Sequence, residues 1–403
     1  MTKSDDKRVP ALRFKGFTDE WEQRKLGDIT KRISRKNLNL DSTLPLTISA
    51  QYGLVDQRKF FDKQIASKKL ENYLLLKNGE FAYNKSYSKD YPFGAIKRLN
   101  NYKLGVLSTL YIAFKPVSIN TDYLEEYFDS TKWYKEIYKR ATEGARNHGL
   151  LNISPQGFFE LNLSIPNNRI EQERISKILK LLSLVITLQQ RKLNDLNSMK
   201  SALLQDVFPN TQGIKKIKLS TQEWNLQKIS SIFKERNQRN KNGMLLSVSI
   251  SKGVYPFSEN DRKDNSSNDK SNYKEVKIND LAYNSMRMWQ GAVGVSKYNG
   301  IVSPAYTVIT PKKEENPNFY YYYFKNKRML FNFRQHSQGL TSDTWNLKFP
   351  LFEKILIQVP SDREEEQRIS SLFKQIDKSI KLSKIQIKKL TSIKQFLLQN
   401  MFI

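Results

Sequence analysis

The chain has 403 residues, with 68 Lys and Arg against 40 Asp and Glu, a formal charge of +28. Such a charge repels itself unless a polyanion shares it, so nucleic acid is the leading partner and an anionic membrane surface the second. Cysteine is absent, which excludes disulfides, thiol catalysis and cysteine–zinc sites and fits a cytoplasmic protein.

The start of the chain, Met1 to Arg8, is polar and reads as no signal peptide. No apolar run is long enough to span a bilayer, and no lipidation motif is present, so no membrane partner is expected.

In chain order the elements come twice. Glu20-Trp21 opens a globular unit and Glu223-Trp224 opens another. Leu46-Thr47-Ile48-Ser49 with Gly53 is answered by Leu246-Ser247-Val248-Ser249 with Gly253, and Phe81-Ala82-Tyr83-Asn84 by Leu281-Ala282-Tyr283-Asn284. Gly105-Val106-Leu107-Ser108 and Tyr111 recur as Gly300-Ile301-Val302-Ser303 and Tyr306. Segments 104–115 and 301–310 read as strand-forming and end at Pro116 and Pro311, while 122–138 and 318–333 read as helical. Ser258–Glu275 is polar and reads as an exposed loop. Trp21 and Trp224 read as core anchors.

The clearest repeat closes each unit. Ser164–Phe208 against Gln358–Phe402 gives 16 identities in 45 positions without a gap. Neither stretch contains proline or glycine between its first turn and its end, so each predicts a helix of roughly 40 residues and about 60 Å. Ser361 with Glu364 reads as a capping box.

A heptad seam runs through Ile175, Leu179, Leu182, Ile186, Gln189, Leu193, Leu196, Lys200, Leu203 and Val207. Its copy runs through Ile369, Phe373, Ile376, Ile380, Ser383, Ile387, Leu390, Lys394, Leu397 and Met401, with polar breaks at the same two places. The expected fold is therefore α+β, with a pseudo-two-fold internal repeat. Its parts are two globular domains, 1–163 and 216–357, separated by two long antiparallel helices, 164–215 and 358–403, that form a coiled coil. The plainest reading of that coiled coil is a spacer that holds two domains apart.

No glycine-rich phosphate loop, nucleophile elbow or paired-acid pattern occurs, and two histidines without cysteine make no zinc site, so no catalytic or metal residue is expected. What remains is base mixed with aromatic and amide side chains. In the first unit the candidates for DNA contact are Lys85, Tyr87, Lys89, Arg98, Arg146, Asn147 and His148. In the second they are Arg287, Trp289, Gln290, Lys297, Arg334, His336, Thr341 and Ser342. Lys and Arg would neutralise phosphates, and Arg, Asn, Gln, Ser and Thr can read base edges. Glu171, Arg174, Glu365 and Arg368, near the helix starts, are candidates for docking partner subunits. For any one of these residues, plain solvated surface is the competing reading.

The chain resembles the specificity subunit of type I restriction–modification systems over nearly its whole length. The resemblance rests on Gly16-Phe17-Thr18-Asp19-Glu20-Trp21-Glu22-Gln23-Arg24-Lys25-Leu26-Gly27-Asp28. It rests also on Ile165-Pro166 followed by Glu171-Gln172-Glu173-Arg174-Ile175, and on the second copy, where Glu366-Gln367 places the Glu-Gln pair one residue later.

The resemblance implies that each globular unit is a target-recognition domain for one half of a bipartite, asymmetric double-stranded DNA site, with the helices as a ruler. It implies two methyltransferase subunits and two restriction (motor–nuclease) subunits as partners. S-adenosylmethionine, ATP and magnesium would bind those partners, and this chain would hold no cofactor. The alternatives are a coiled-coil scaffold whose basic domains bind RNA or acidic proteins, and an enzyme with an unrecognised site. The stacked-aromatic sheet motifs of RNA modules are not found.

Overall fold

The computed structural model describes residues 8–62, 69–86, 88–141, 151–209, 217, 223–260, 269–312 and 315–403. The chain folds into two compact units, Met1–Gln189 with Gln386–Ile403, and Gln190–Ile385. The division falls inside both long helices, so each helix contributes its two halves to different units.

In the first unit, β2 (Thr30–Arg32), β9 (Ile112–Pro116), β6 (Phe81–Asn84) and β7 (Ala95–Arg98) form an antiparallel sheet in that order. Ribbons β3 (Leu46–Ser49) with β4 (Gly53–Asp56), and β5 (Leu74–Lys77) with β8 (Leu104–Leu107), pack on one face. Helices α3 (Thr121–Asp129), α4 (Tyr134–Arg140) and α5 (Pro155–Phe159) pack on the other. Strand β1 (Glu22–Lys25) leads into the short α1 (Leu26–Ile29) and pairs with β10 (Asn162–Ile165). A second short helix, α2 (Gln57–Phe61), follows β4.

The sheet's alternation explains its two faces. Phe81, Tyr83, Ile96, Ile112 and Phe114 enter the core beneath the helices. Their neighbours Ala82, Ala95 and Ala113 face the ribbons. Small residues there let the ribbons approach closely. Gly105 has the same role, since a Cβ on it would collide with Leu46, and Gly300 repeats it against Met244 and Leu246.

The second unit repeats this strand for strand. Its sheet is β12 (Phe233–Glu235), β19 (Tyr306–Pro311), β16 (Leu281–Asn284) and β17 (Val293–Val295). Its ribbons are β13 (Leu246–Ser249) with β14 (Gly253–Pro256), and β15 (Lys274–Val276) with β18 (Gly300–Val302). Strand β11 (Trp224–Lys228) leads into α7 (Ile229–Ile232) and pairs with β20 (Leu356–Pro360). Two 3-10 turns, Phe257–Glu259 and Met288–Gln290, and the α-helices α8 (Pro317–Phe324), α9 (Lys327–His336) and α10 (Phe349–Phe352) complete it among the described residues.

Several expected elements are divided. Segments 104–115 and 301–310 each form two strands in different sheets. Segment 122–138 breaks at Ser130, whose N–H turns back to the Glu126 and Tyr127 carbonyls. Segment 318–333 breaks at Asn326, whose side chain accepts the Arg328 N–H at 2.8 Å and starts a new helix. Trp21 is fully buried, as an anchor should be, and Trp224 is half-buried among Phe208, Phe319 and Tyr323.

The long helices are α6 (Arg169–Asp206) and α11 (Arg363–Asn400), 38 residues each. All the seam positions are buried or half-buried. In the first unit Ile175 and Leu179 share a core with Met401 and Phe402, while Ile186 and Lys394 line one cleft, so the segments run antiparallel. In the second, Phe208 stacks 6.1 Å from Phe373 and Lys200 pairs with Asp377 at 2.5 Å, again antiparallel. The lysines that break the seam are neutralised where they lie. Lys394 reaches Glu126 at 3.4 Å and Asp129 at 3.7 Å.

The helix starts differ from the sequence reading. Asp362, not Ser361, caps α11 by accepting the Glu364 N–H at 2.8 Å. Ser361 instead donates to the Glu223 carbonyl at 2.8 Å. The places of the first copy's Glu-Gln pair are not taken by Glu366-Gln367. Glu365 and Glu366 occupy the places of Glu171 and Gln172, all four buried. Gln172 accepts the Asn120 N–H, at the start of α3, at 2.9 Å. Glu366 takes the corresponding backbone contact from Asn316, at the start of α8. A carboxyl thus stands where the repeat uses a neutral amide, and burial, with the charge of Glu315 added, pushes it up to about 7.

Between the unfolded and folded values the native state holds the extra proton, so this group's stability contribution is present below about 4.5 and is lost as pH rises through about 7. Glu366→Gln should therefore melt with the parent near pH 5 and about 2–4 °C above it at pH 8, a gain on the order of 1 kcal/mol. Equal melting temperatures at both pH values would contradict the assignment.

Candidate nucleic-acid interface

In the second unit the turn after β16 is pinned by Met288, which is fully buried. The Arg287 N–H donates to the Asn284 carbonyl at 2.9 Å, and Gly291 closes the turn at φ +84°. This exposes Arg287 and half-exposes Trp289 and Gln290. Helix α9 packs on the turn. Its last turn carries Arg334 and His336, both exposed. His336 Nδ1 lies 2.9 Å from the Asn332 carbonyl, so it belongs to the helix end rather than to a free loop.

After α9 the chain makes a closed loop. Gln338 and Asn346 exchange backbone hydrogen bonds at 3.0 and 2.8 Å. Within it the Thr344 hydroxyl donates to the Thr341 carbonyl at 3.0 Å and accepts the Thr341 N–H at 3.1 Å. Leu340, Thr341, Ser342 and Asp343 are left on the outside. Trp345 ties loop, helix and turn together. Its ring lies 5.2 Å from Trp289 in an edge-on pair, and the Arg334 guanidinium lies 4.9 Å above it.

Such contacts are worth about 0.5–1.5 kcal/mol each, enough to hold surface side chains in one arrangement. The structure therefore brings Arg287, Trp289, Gln290, Arg334, His336, Thr341 and Ser342 onto adjoining segments. The chemistry presented is a guanidinium held over an indole, hydroxyls, an amide and an exposed leucine, which suits base edges and the thymine methyl. Trp345 was not among the residues singled out from the sequence; a tryptophan in an otherwise polar loop is the signal that marks it.

Lys297 lies elsewhere, in a cleft beside α11 with Lys252 and Lys378. In the first unit, Tyr87, Arg146, Asn147 and His148 lie outside the described residues. Lys85 is half-buried and Lys89 exposed. The two units share one anchoring contact here. The Leu151 N–H donates to the Lys85 carbonyl at 3.0 Å, and the Leu347 N–H donates to the Ser285 carbonyl at 2.8 Å.

Arg98 is set apart, because its guanidinium pairs with Asp122 at 2.7 Å and Glu125 at 3.1 Å. Glu171 is buried and accepts from Nε and Nη2 of Arg13, at 2.7 and 2.9 Å. Glu365 is buried and accepts the Trp224 indole N–H at 3.0 Å. Arg174 and Arg368 are exposed, the first over the Phe17 ring and the second paired with Asp362 at 3.3 Å. Among the described residues no group of three or more acidic or histidine side chains could hold a metal ion, and no helix is long and apolar enough to cross a membrane.

Residues 221–392 match the family described as type I restriction modification DNA specificity domain. The chain as a whole has the fold of a type I specificity subunit. The S subunit of a type I restriction–modification system from M. genitalium superposes with a TM-score of 0.59 at 13% identity, over 98% of this chain and 99% of that one. A structure described by the assembly and conformational transition of a type I system aligns with a TM-score of 0.51 at 12% identity, over 95% and 97% of the two chains. The HsdS subunit of Thermoanaerobacter tengcongensis aligns at 0.48 and 13% identity, over 95% and 96%. No curated protein sequence matches the chain.

The loop depends on Gly339, at φ +146°, where a Cβ would sit 2.7 Å from the Thr344 carbonyl. Gly339→Ala should displace the loop and separate Trp345 from Trp289. The near-ultraviolet circular dichroism of the indoles should fall while the far-ultraviolet spectrum holds. Unchanged near-ultraviolet signal would mean the loop does not depend on this glycine.

Proposed function

We propose that the chain is the DNA-reading subunit of a type I restriction–modification complex and performs no chemistry itself. Each unit reads one half of a bipartite, asymmetric double-stranded site, and the long helices set the spacing. The observation that carries this reading is the duplicated unit, with the Trp289–Trp345–Arg334 arrangement on the copy that matches the DNA specificity domain model. Two similar units with different loops suit two short, unlike sequences about one helical turn apart.

The methyltransferase subunits, two per complex, would bring S-adenosylmethionine, and two motor–nuclease subunits ATP and magnesium. For docking a methyltransferase subunit, α6 offers Leu181, Leu184, Val185 and Leu188, which are 51, 54, 40 and 55% exposed along one stripe. Solvated leucines in a row are costly at about 25 cal/mol per Å², and an apolar partner helix would cover them.

The function is tested by mapping modified adenines across the host genome with and without the gene. Loss of methylation at a single split motif is expected; methylation unchanged at every site would refute the reading. The docking surface is tested separately. Leu184→Glu with Leu188→Glu should abolish co-purification with the methyltransferase subunit while the free chain still binds DNA. Retained co-purification would place the contact elsewhere.

A further inference from the structure

The two units have the same backbone plan but different local charge along one helix. In α3, four acids, Asp122, Glu125, Glu126 and Asp129, neutralise the bases around them. Asp122 and Glu125 hold Arg98 and Lys180, and Asp129 holds Lys97 at 2.7 Å and shares Lys394 with Glu126. At the corresponding positions α8 and the residue after it read Asn318, Tyr321, Tyr322 and Lys325. The register is fixed by the buried aromatics, Tyr123, Tyr127 and Phe128 in α3 and Phe319, Tyr323 and Phe324 in α8.

The second unit therefore carries bases without the acids that the first unit sets against them. Lys374, at the place of Lys180, faces Asn318 and Tyr321 across a cleft of about 810 Å³. Lys378 and Lys381 follow it on the same side of α11, and Lys297 enters from beyond β17. Among the described residues none of these four lysines has a carboxylate within ion-pair distance. Of the cleft's two acids, Asp377 is already engaged by Lys200 at 2.5 Å and by the Tyr322 hydroxyl at 2.9 Å, and Glu259 is the other. Burial, with the charge of Lys200 added, holds the nearby Lys325 down at about 8.

We infer that this cleft is a phosphate-contact surface for double-stranded DNA, formed by Lys297, Lys374, Lys378 and Lys381, and present in the second unit only. The inference rests on the DNA-binding reading above and adds to it a site that reads no bases. Residues 374, 378 and 381 span about 10 Å of helix at 1.5 Å per residue. That is about three nucleotide rises of one strand, so three lysines can each meet a phosphate. The second unit then supplies more of the salt-dependent affinity than the first.

The test is the salt dependence of full-length protein binding to an unrelated 30-base-pair duplex, read by fluorescence anisotropy. Each phosphate contact contributes a slope of about −0.9 in log K against log salt. The variant with Lys297, Lys374, Lys378 and Lys381 all changed to Gln should lose about three to four units of slope, and the four Lys→Arg changes should keep it. A milder variant, Asn318→Asp, restores the first unit's partner for Lys374 and should lose about one unit. Slopes within half a unit of the parent for the Gln and Asp variants would overturn the inference while leaving DNA reading intact. A parent protein that binds no duplex at low salt would overturn the DNA-binding reading itself.

Discussion

The fold depends on two aromatic plugs at the helix ends. Phe402 sits 5.4 Å from Tyr123 and 5.6 Å from Tyr127, on α3 of the first unit. Phe208 sits 5.7 Å from Phe319 and 4.9 Å from Tyr323, on α8 of the second. Both rings are fully buried. Each unit is therefore completed by the tail of a helix that begins in the other. Removing one such ring costs on the order of 3–5 kcal/mol, a large part of the 5–15 kcal/mol that holds an ordinary domain. A unit cut out at the end of its own globular segment would lose part of its core.

That interlock explains what the sequence made legible. The 194-residue repeat, the two long helices, their seam and the polar breaks all follow from a 3.5-residue pattern in chains free of proline and glycine. The matched Tyr83 and Tyr283 are buried at equivalent places in equivalent sheets, as the repeat implied. Boundaries were less legible. The breaks at Ser130 and Asn326 are side-chain and backbone caps inside continuous apolar patterns, and periodicity does not register a cap. Likewise Ser361 looked like a helix start because its composition fits, while Asp362, one residue later, makes the bond.

The surface was harder to read for a different reason. Composition counts charges but does not say which are already answered. Arg98 and Lys297 look alike in sequence, yet one guanidinium is held between two carboxylates and the other base has none within ion-pair distance among the described residues. Glu171 and Glu365 look like surface charge near a helix start and are among the most buried carboxylates in the chain. A long-range partner such as Arg13 or Trp224, far away in sequence, decides the outcome. Trp345 escaped notice because its value comes from Trp289 and Arg334, which only the fold brings to it.

The comparison of the two units separates what the scaffold needs from what it can vary. The aromatic plug, the glycine beneath the first ribbon and the backbone contact that Leu151 makes to Lys85 and Leu347 to Ser285 recur in both. Each of these is a packing or hydrogen-bond requirement of a buried group, and losing one costs kilocalories. The acids of α3 and their counterparts Asn318, Tyr321 and Lys325 are not of that kind. Asp122, Glu125 and Asp129 lie nearer the surface than the buried Glu126, and exchanging them changes chiefly the field outside. A repeat built this way can keep one fold and give its two halves different affinities for the same polyanion. The divergence of charge within the pair then follows from the freedom the shared core leaves at its edge.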